Sequence, residues 1–171
     1  MIPALPAIRR LAAAVAGIAS LGLCVAPAWS ACSPPDHGPH PFHVDDGVVV
    51  AASSGLAWQR CSLGQQLDDG RCQGTVRKLD WADAQKAAAS AGHGWRLPTQ
   101  TELETLVLGY CSAPATDTAA FPETPGTWFW SSTADGPAGA WFVDFEQGGG
   151  SGATLRSSTA AVRLVRSATD H

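Results

Sequence analysis

The sequence predicts an α+β domain with a twisted antiparallel sheet, stapled by disulfides and folded outside the cytoplasm. Three observations predict it: a leader typical of export, an even cysteine count once that leader is gone, and an order of hairpin, two helices and then several strands.

The leader is read over residues 1–28. Arg9 and Arg10 supply positive charge, an apolar stretch runs from Leu11 to about Ala26, and small residues close it at Ala26-Pro27-Ala28 or Ala28-Trp29-Ser30. As a membrane anchor the stretch is short against the ~20 residues a span needs. It is also broken by Gly17, Ser20, Gly22 and Pro27. A twin-arginine signal would carry bulkier residues than Leu11-Ala12-Ala13. Lipid attachment at Cys32 would set a Leu where Trp29 stands. Both routes stay open beside simple cleavage, and the destination is the periplasm, the outer surface or the medium.

Cys24 leaves with the leader, so Cys32, Cys61, Cys72 and Cys111 remain. In an oxidising compartment four cysteines read as two disulfides with three possible connectivities. The Gly- and Asp-rich loop favours Cys61–Cys72, which leaves Cys32–Cys111. No Cys-x-x-Cys pair points to zinc or to redox chemistry. Past the leader, nine Lys plus Arg (eleven less Arg9 and Arg10) face fifteen Asp plus Glu, a net charge of −6. Such a surface does not attract nucleic acid or anionic membrane.

Residues 29–43 read as an extended Pro- and His-rich lead-in. His37, His40 and His43 recur every third residue, a spacing that could gather a metal but suits a solvated linker. Gly47–Ala52 and Leu56–Arg60 form a hairpin about Ser53-Ser54-Gly55, with Trp58 inward. Asp68-Asp69-Gly70 reads as a polar turn, since the further oxygen ligands of a calcium loop are missing. Asp80 caps a first helix carrying Trp81, Ala84, Ala87 and Ala88 on one face, and Gly92 stops it. Thr99-Gln100-Thr101-Glu102 is a capping box for a second helix. Leu103, Leu106, Val107 and Tyr110 form its apolar stripe and Gly109 its end. Cys111–Gly126 is irregular. Thr127–Ser132 and Ala140–Phe145 are strands, Gly148–Gly152 a flexible turn, and Ala161–Arg166 an alternating last strand. Residues 167–171 are a tail.

These motifs, in this order, resemble a known family. Gly55-Leu56-Ala57-Trp58-Gln59, Trp95-Arg96-Leu97-Pro98-Thr99 with Glu102-Leu103, Cys111–Asp117 with Phe121-Pro122, Trp128-Phe129-Trp130-Ser131-Ser132, Ala140–Phe145 and Val162–Arg166 are similar to the Legionella collagen-like protein C-terminal domain over residues 44–166. The resemblance implies a C-type-lectin-like fold near the formylglycine-generating-enzyme branch, in a secreted or surface-attached bacterial binding module. The founding member is a trimeric adhesin for sulfated polysaccharides. The collagen-like stalk is absent here and the charge is acidic, so that ligand class does not carry over.

The expected function is therefore recognition of a glycan or protein ligand, with an assembly role in an envelope complex as the alternative. Catalysis of the formylglycine-generating kind is remote, because the cysteines read as staples. In folds of this kind recognition uses late loops, here Thr133–Gly139 and Glu146–Thr159. Asp135, Trp141, Asp144, Glu146, Gln147, Arg156, Ser157 and Ser158 are the candidate binding residues. Trp58, Trp81, Trp95, Trp128 and Trp130 are expected in the core. Asp144 is expected to pair with an arginine such as Arg163. No cofactor is expected; calcium at Asp144 and Glu146 would lack the usual lectin signature.

Overall fold

The computed structural model describes Cys32 and residues 41–169; the leader, His37 and His40 lie outside the described residues. The strands are β1 (Phe42–Asp45), β2 (Val48–Ala51), β3 (Leu56–Gln59), β4 (Gln65–Asp68), β5 (Arg71–Gly74), β6 (Trp128–Asp135), β7 (Gly139–Asp144), β8 (Gly150–Leu155) and β9 (Val165–Ser167). The helices are α1 (Trp81–Ser90) and α2 (Gln100–Glu104). The chain is an α+β protein whose strands form antiparallel sheets, β1-β2-β3-β9, β4-β5 and β6-β7-β8, where one sheet was expected.

The expected hairpin forms as β2 and β3, with Trp58 fully buried. β1 adds an outer strand that takes in Phe42 and His43 from the lead-in. Its signal was Asp46-Gly47: a two-residue turn with Asp46 at φ 49° turns β1 into β2. The same chemistry makes Asp69-Gly70 the tight turn between β4 and β5, with φ 46° and 74°. Both expected disulfides form, Cys61–Cys72 beside this small hairpin and Cys32–Cys111 across the domain.

α1 begins where its cap predicts, with Asp83 N–H donating to the Asp80 carboxylate at 2.8 Å. The capping box of α2 is complete: Glu102 N–H donates to Thr99 Oγ1, and Thr99 N–H donates to Glu102 Oε2. The helix nevertheless ends at Glu104 and does not reach Gly109. Its last amides turn to carbonyls three residues back, and the Leu106 carbonyl accepts the Thr116 hydroxyl instead of a helical N–H. Leu103 and Leu106 are buried, but Tyr110, the expected end of the stripe, is 63% exposed.

Two late expectations are corrected. The expected turn Gly148–Gly152 is cut short, because Gly150–Leu155 is a strand in full register with β7; of the glycine run only Gly148 and Gly149, at φ 63° and 74°, stay outside it. The Ala161–Arg166 segment is not one alternating strand, because residues 160–165 are all buried. It threads between layers: Ala161 bridges Phe129, the Val162 carbonyl accepts Leu63 N–H, and the Leu164 carbonyl accepts Gln59 N–H. Only Val165–Ser167 joins a sheet, against β3.

The β6-β7-β8 sheet is central. Phe129 and Val143 project from one face into a core with Val49, Trp58, Leu103 and Phe121. Trp130 and Ala140 project from the other into a core with Ala84, Ala88, Leu97 and Val162. Along β6 and β7 both faces are largely covered, whereas β8 is half open, so a ligand can meet the sheet at its ends and along β8.

Candidate functional site

At one end of this sheet, β6 begins with Trp128, which is 40% exposed although it was expected in the core. The period of two explains both facts. Trp128 and Trp130 point to the same face, but Trp130 lies one step further in, under the helix layer, where it is fully buried. Trp128 stacks on the Phe142 ring with centroids 4.3 Å apart and planes inclined by 21°. Phe142 in turn lies over Gly152: a Cβ there would sit 2.9 Å from Phe142 Cζ. The strand-pair partner of Trp128 is Asp144, whose Oδ2 accepts the indole N–H at 3.2 Å. The other oxygen accepts Glu146 N–H at 2.8 Å. The indole is thus held at one ring face and at its polar edge while its remaining surface stays open. Beside it, Lys78 Nζ donates to Thr127 Oγ1 at 3.1 Å.

The expected Asp144–Arg163 pair does not form, because Arg163 is buried elsewhere. It donates to the carbonyls of Gln59 and Arg60 and to the hydroxyls of Ser62 and Thr124, and it lies over Phe121 at 4.7 Å. Burial pushes its guanidinium down to about 9, which leaves it charged at neutral pH.

The candidate binding residues fall into two groups. Asp144, Glu146 and Gln147 lie at the Trp128 end, with Gln147 bridged to Ser112. Asp135, Arg156, Ser157 and Ser158 lie at the opposite end, about 17 Å away along β7 at the usual rise per residue. Trp141 is half-buried between them on β7. Arg156 serves that far end as a fastener. It donates to the carbonyls of Gly139 and Gly136 and stacks over Trp81 at 4.4 Å. The Ser158 hydroxyl bonds Thr154 Oγ1. Asp135 and Leu155 border a recess of about 440 Å³ there. His43 is exposed on β1, and no metal-binding cluster of His, Cys, Asp or Glu occurs among the described residues.

The residues that define the Trp128 end and were missed in the sequence are Trp128 itself, Phe142, Thr127 and Lys78. A strand's first residue lies at the rim of its sheet, and that position was the available signal. The model of the Lcl C-terminal domain family matches residues 47–166, more than half of the chain. No curated protein matches the chain.

Proposed function

We propose that this chain, which belongs to the Lcl C-terminal domain family, is an exported binding module that presents the Trp128 end of its central sheet to a glycan or protein ligand. The observation that carries this reading is the open, orientation-locked indole of Trp128. A large apolar surface left exposed costs solubility, and holding it rigid lowers the entropy lost on binding. We read the fold as C-type-lectin-like. The order of hairpin, two helices and late sheet supports this, together with the return of β9 onto β3.

Two disulfides support export, since such bonds persist outside the reducing cytoplasm. Periplasm, outer surface and medium are all compatible with them. Binding without catalysis is favoured because both cysteine pairs are joined, which leaves no free thiol among the described residues for chemistry of the formylglycine-generating kind. The second reading, an assembly role in an envelope complex, is favoured by Leu155, 62% exposed beside the far recess.

The test is a glycan array and an envelope cross-linking experiment run side by side with the wild-type chain and Trp128→Ala, with and without calcium. A ligand held by the wild type and lost by at least tenfold in the variant, with the same circular dichroism, supports the reading. A ligand held equally by both places recognition elsewhere, and Leu155→Ser then tests the far end.

A further inference from the structure

We infer that the Trp128 end takes an uncharged pyranose, with the ring's apolar face on the indole and its hydroxyls donating to Asp144. This rests on the binding-module reading above and names its ligand class. Three features lead to it.

The indole is presented as a flat platform. Phe142 stacks on one ring face and the N–H is spent on Asp144, while 40% of the residue stays exposed for a ligand. The C–H side of a pyranose matches such a face: it is flat and weakly polarised positive, against the negative π-face of the indole.

The polar atoms at its edge are mostly acceptors. Each Asp144 oxygen already accepts one bond, from Trp128 N–H and Glu146 N–H, and each keeps one lone pair for another donor. A sugar hydroxyl supplies that donor, and a bond to a carboxylate is stronger than one between neutral groups. Both existing bonds fix the carboxylate before any ligand arrives, so little order is lost on binding.

The local charge is the wrong sign for an anionic sugar. Asp144 and the exposed Glu146 put negative charge at this end, and Lys78 is already bonded to Thr127, the chain neighbour of Trp128. Most of the large basic groups are engaged elsewhere: Arg163 is buried, Arg156 fastens the far end, Arg166 lies over Trp95, Arg96 pairs with Glu102 and Arg71 with Glu123. A sulfate or carboxylate set beside Asp144 would meet like charge.

The experiment follows the indole N–H and backbone amide resonances of the chain, recovered with both disulfides formed, while methyl pyranosides are added up to about 100 mM. Binding of a single sugar ring is expected near the millimolar range, about 4 kcal/mol. The neutral set is the methyl glycosides of glucose, galactose, mannose and N-acetylglucosamine; the charged set is galactose 6-sulfate and glucuronic acid. Trp128→Phe assigns the Trp128 indole signal.

The inference expects saturable shifts at Trp128, Asp144 and Gly152 with at least one neutral glycoside, and at least tenfold weaker binding of both charged sugars. It also expects Asp144→Ala to weaken the neutral sugar severalfold, with the resonances of the buried Trp58 and Leu103 unmoved. Stronger binding of the charged sugars, or no shift with any sugar, overturns the ligand class. If a protein or other ligand found on the array or by cross-linking still loses affinity in Trp128→Ala, the recognition face stands while the sugar falls. If that ligand ignores Trp128→Ala, the face itself falls.

Discussion

Arg163 illustrates how much one side chain can hold together. Its donors reach the end of β3, the Ser62 loop and Thr124 in the proline-rich middle, and no carboxylate is among its partners. Replacing it with Met would leave those acceptors buried and unpaired, so Arg163→Met is expected to cost about 2–4 kcal/mol of stability in urea unfolding. Arg163→Lys is expected to rescue little, because one ammonium cannot span acceptors arranged for a planar fork. The sequence reading placed this arginine beside Asp144. Nothing in a single sequence tells whether an arginine in a strand-like run will meet a carboxylate or a set of carbonyls. Trp128 failed for a related reason. Composition says that tryptophans are mostly interior, but the position of a strand's first residue relative to the covering layer is a tertiary fact.

The elements were legible where local chemistry decides them. The caps at Asp80 and Thr99, the turn at Asp69-Gly70 and the first hairpin all form as their residues dictate. They were illegible where a distant partner decides: Thr116 shortens α2, and Phe142 makes a strand of a glycine run. Glu102 joins cap and tertiary contact, since Arg96 donates to both its oxygens at 2.8 and 2.7 Å. That bond, chiefly, holds the Glu102 carboxyl below its ordinary range, with the Thr99 amide adding to it and burial opposing. A carboxyl depressed in the folded state binds fewer protons there than when unfolded. Its stabilisation is therefore full above about pH 4.3 and is lost as pH falls through the folded value. Glu102→Gln is expected to cost about 1 kcal/mol at pH 7 and to flatten the stability profile below pH 4.5, read by thermal unfolding from pH 2 to 7. In β8, Gly152→Val would drive a branched side chain into Phe142. It should cost about 1–3 kcal/mol and disturb the Trp128 stack, seen as a changed near-ultraviolet circular dichroism signal.

At the scale of the molecule, two disulfides join segments that differ greatly in length. Cys61–Cys72 closes a separation of 11 residues and Cys32–Cys111 one of 79. On chain entropy the first stabilises by about 2.8 kcal/mol and the second by about 4.5 kcal/mol. Cys32→Ala with Cys111→Ala should therefore lower the unfolding midpoint more than Cys61→Ala with Cys72→Ala. The cysteine count made both pairs readable, because few pairings exist for four thiols and the loop at Asp68–Gly70 selects one. The division of the strands into separate sheets was not readable, since it depends on which layers the buried 160–165 segment separates. The long bridge also sets how the domain meets a pulling force. Tension applied before Cys32 and after β9 passes through the sulfur bridge directly to Cys111, so residues 33–110 form a bypassed loop. A module held on a surface in flow would keep β1–β5 and both helices out of the stretched path. At about 3.6 Å per residue, a pull between residues 32 and 169 should extend roughly 210 Å with the bridge intact and roughly 490 Å once it is reduced, a difference that optical tweezers resolve.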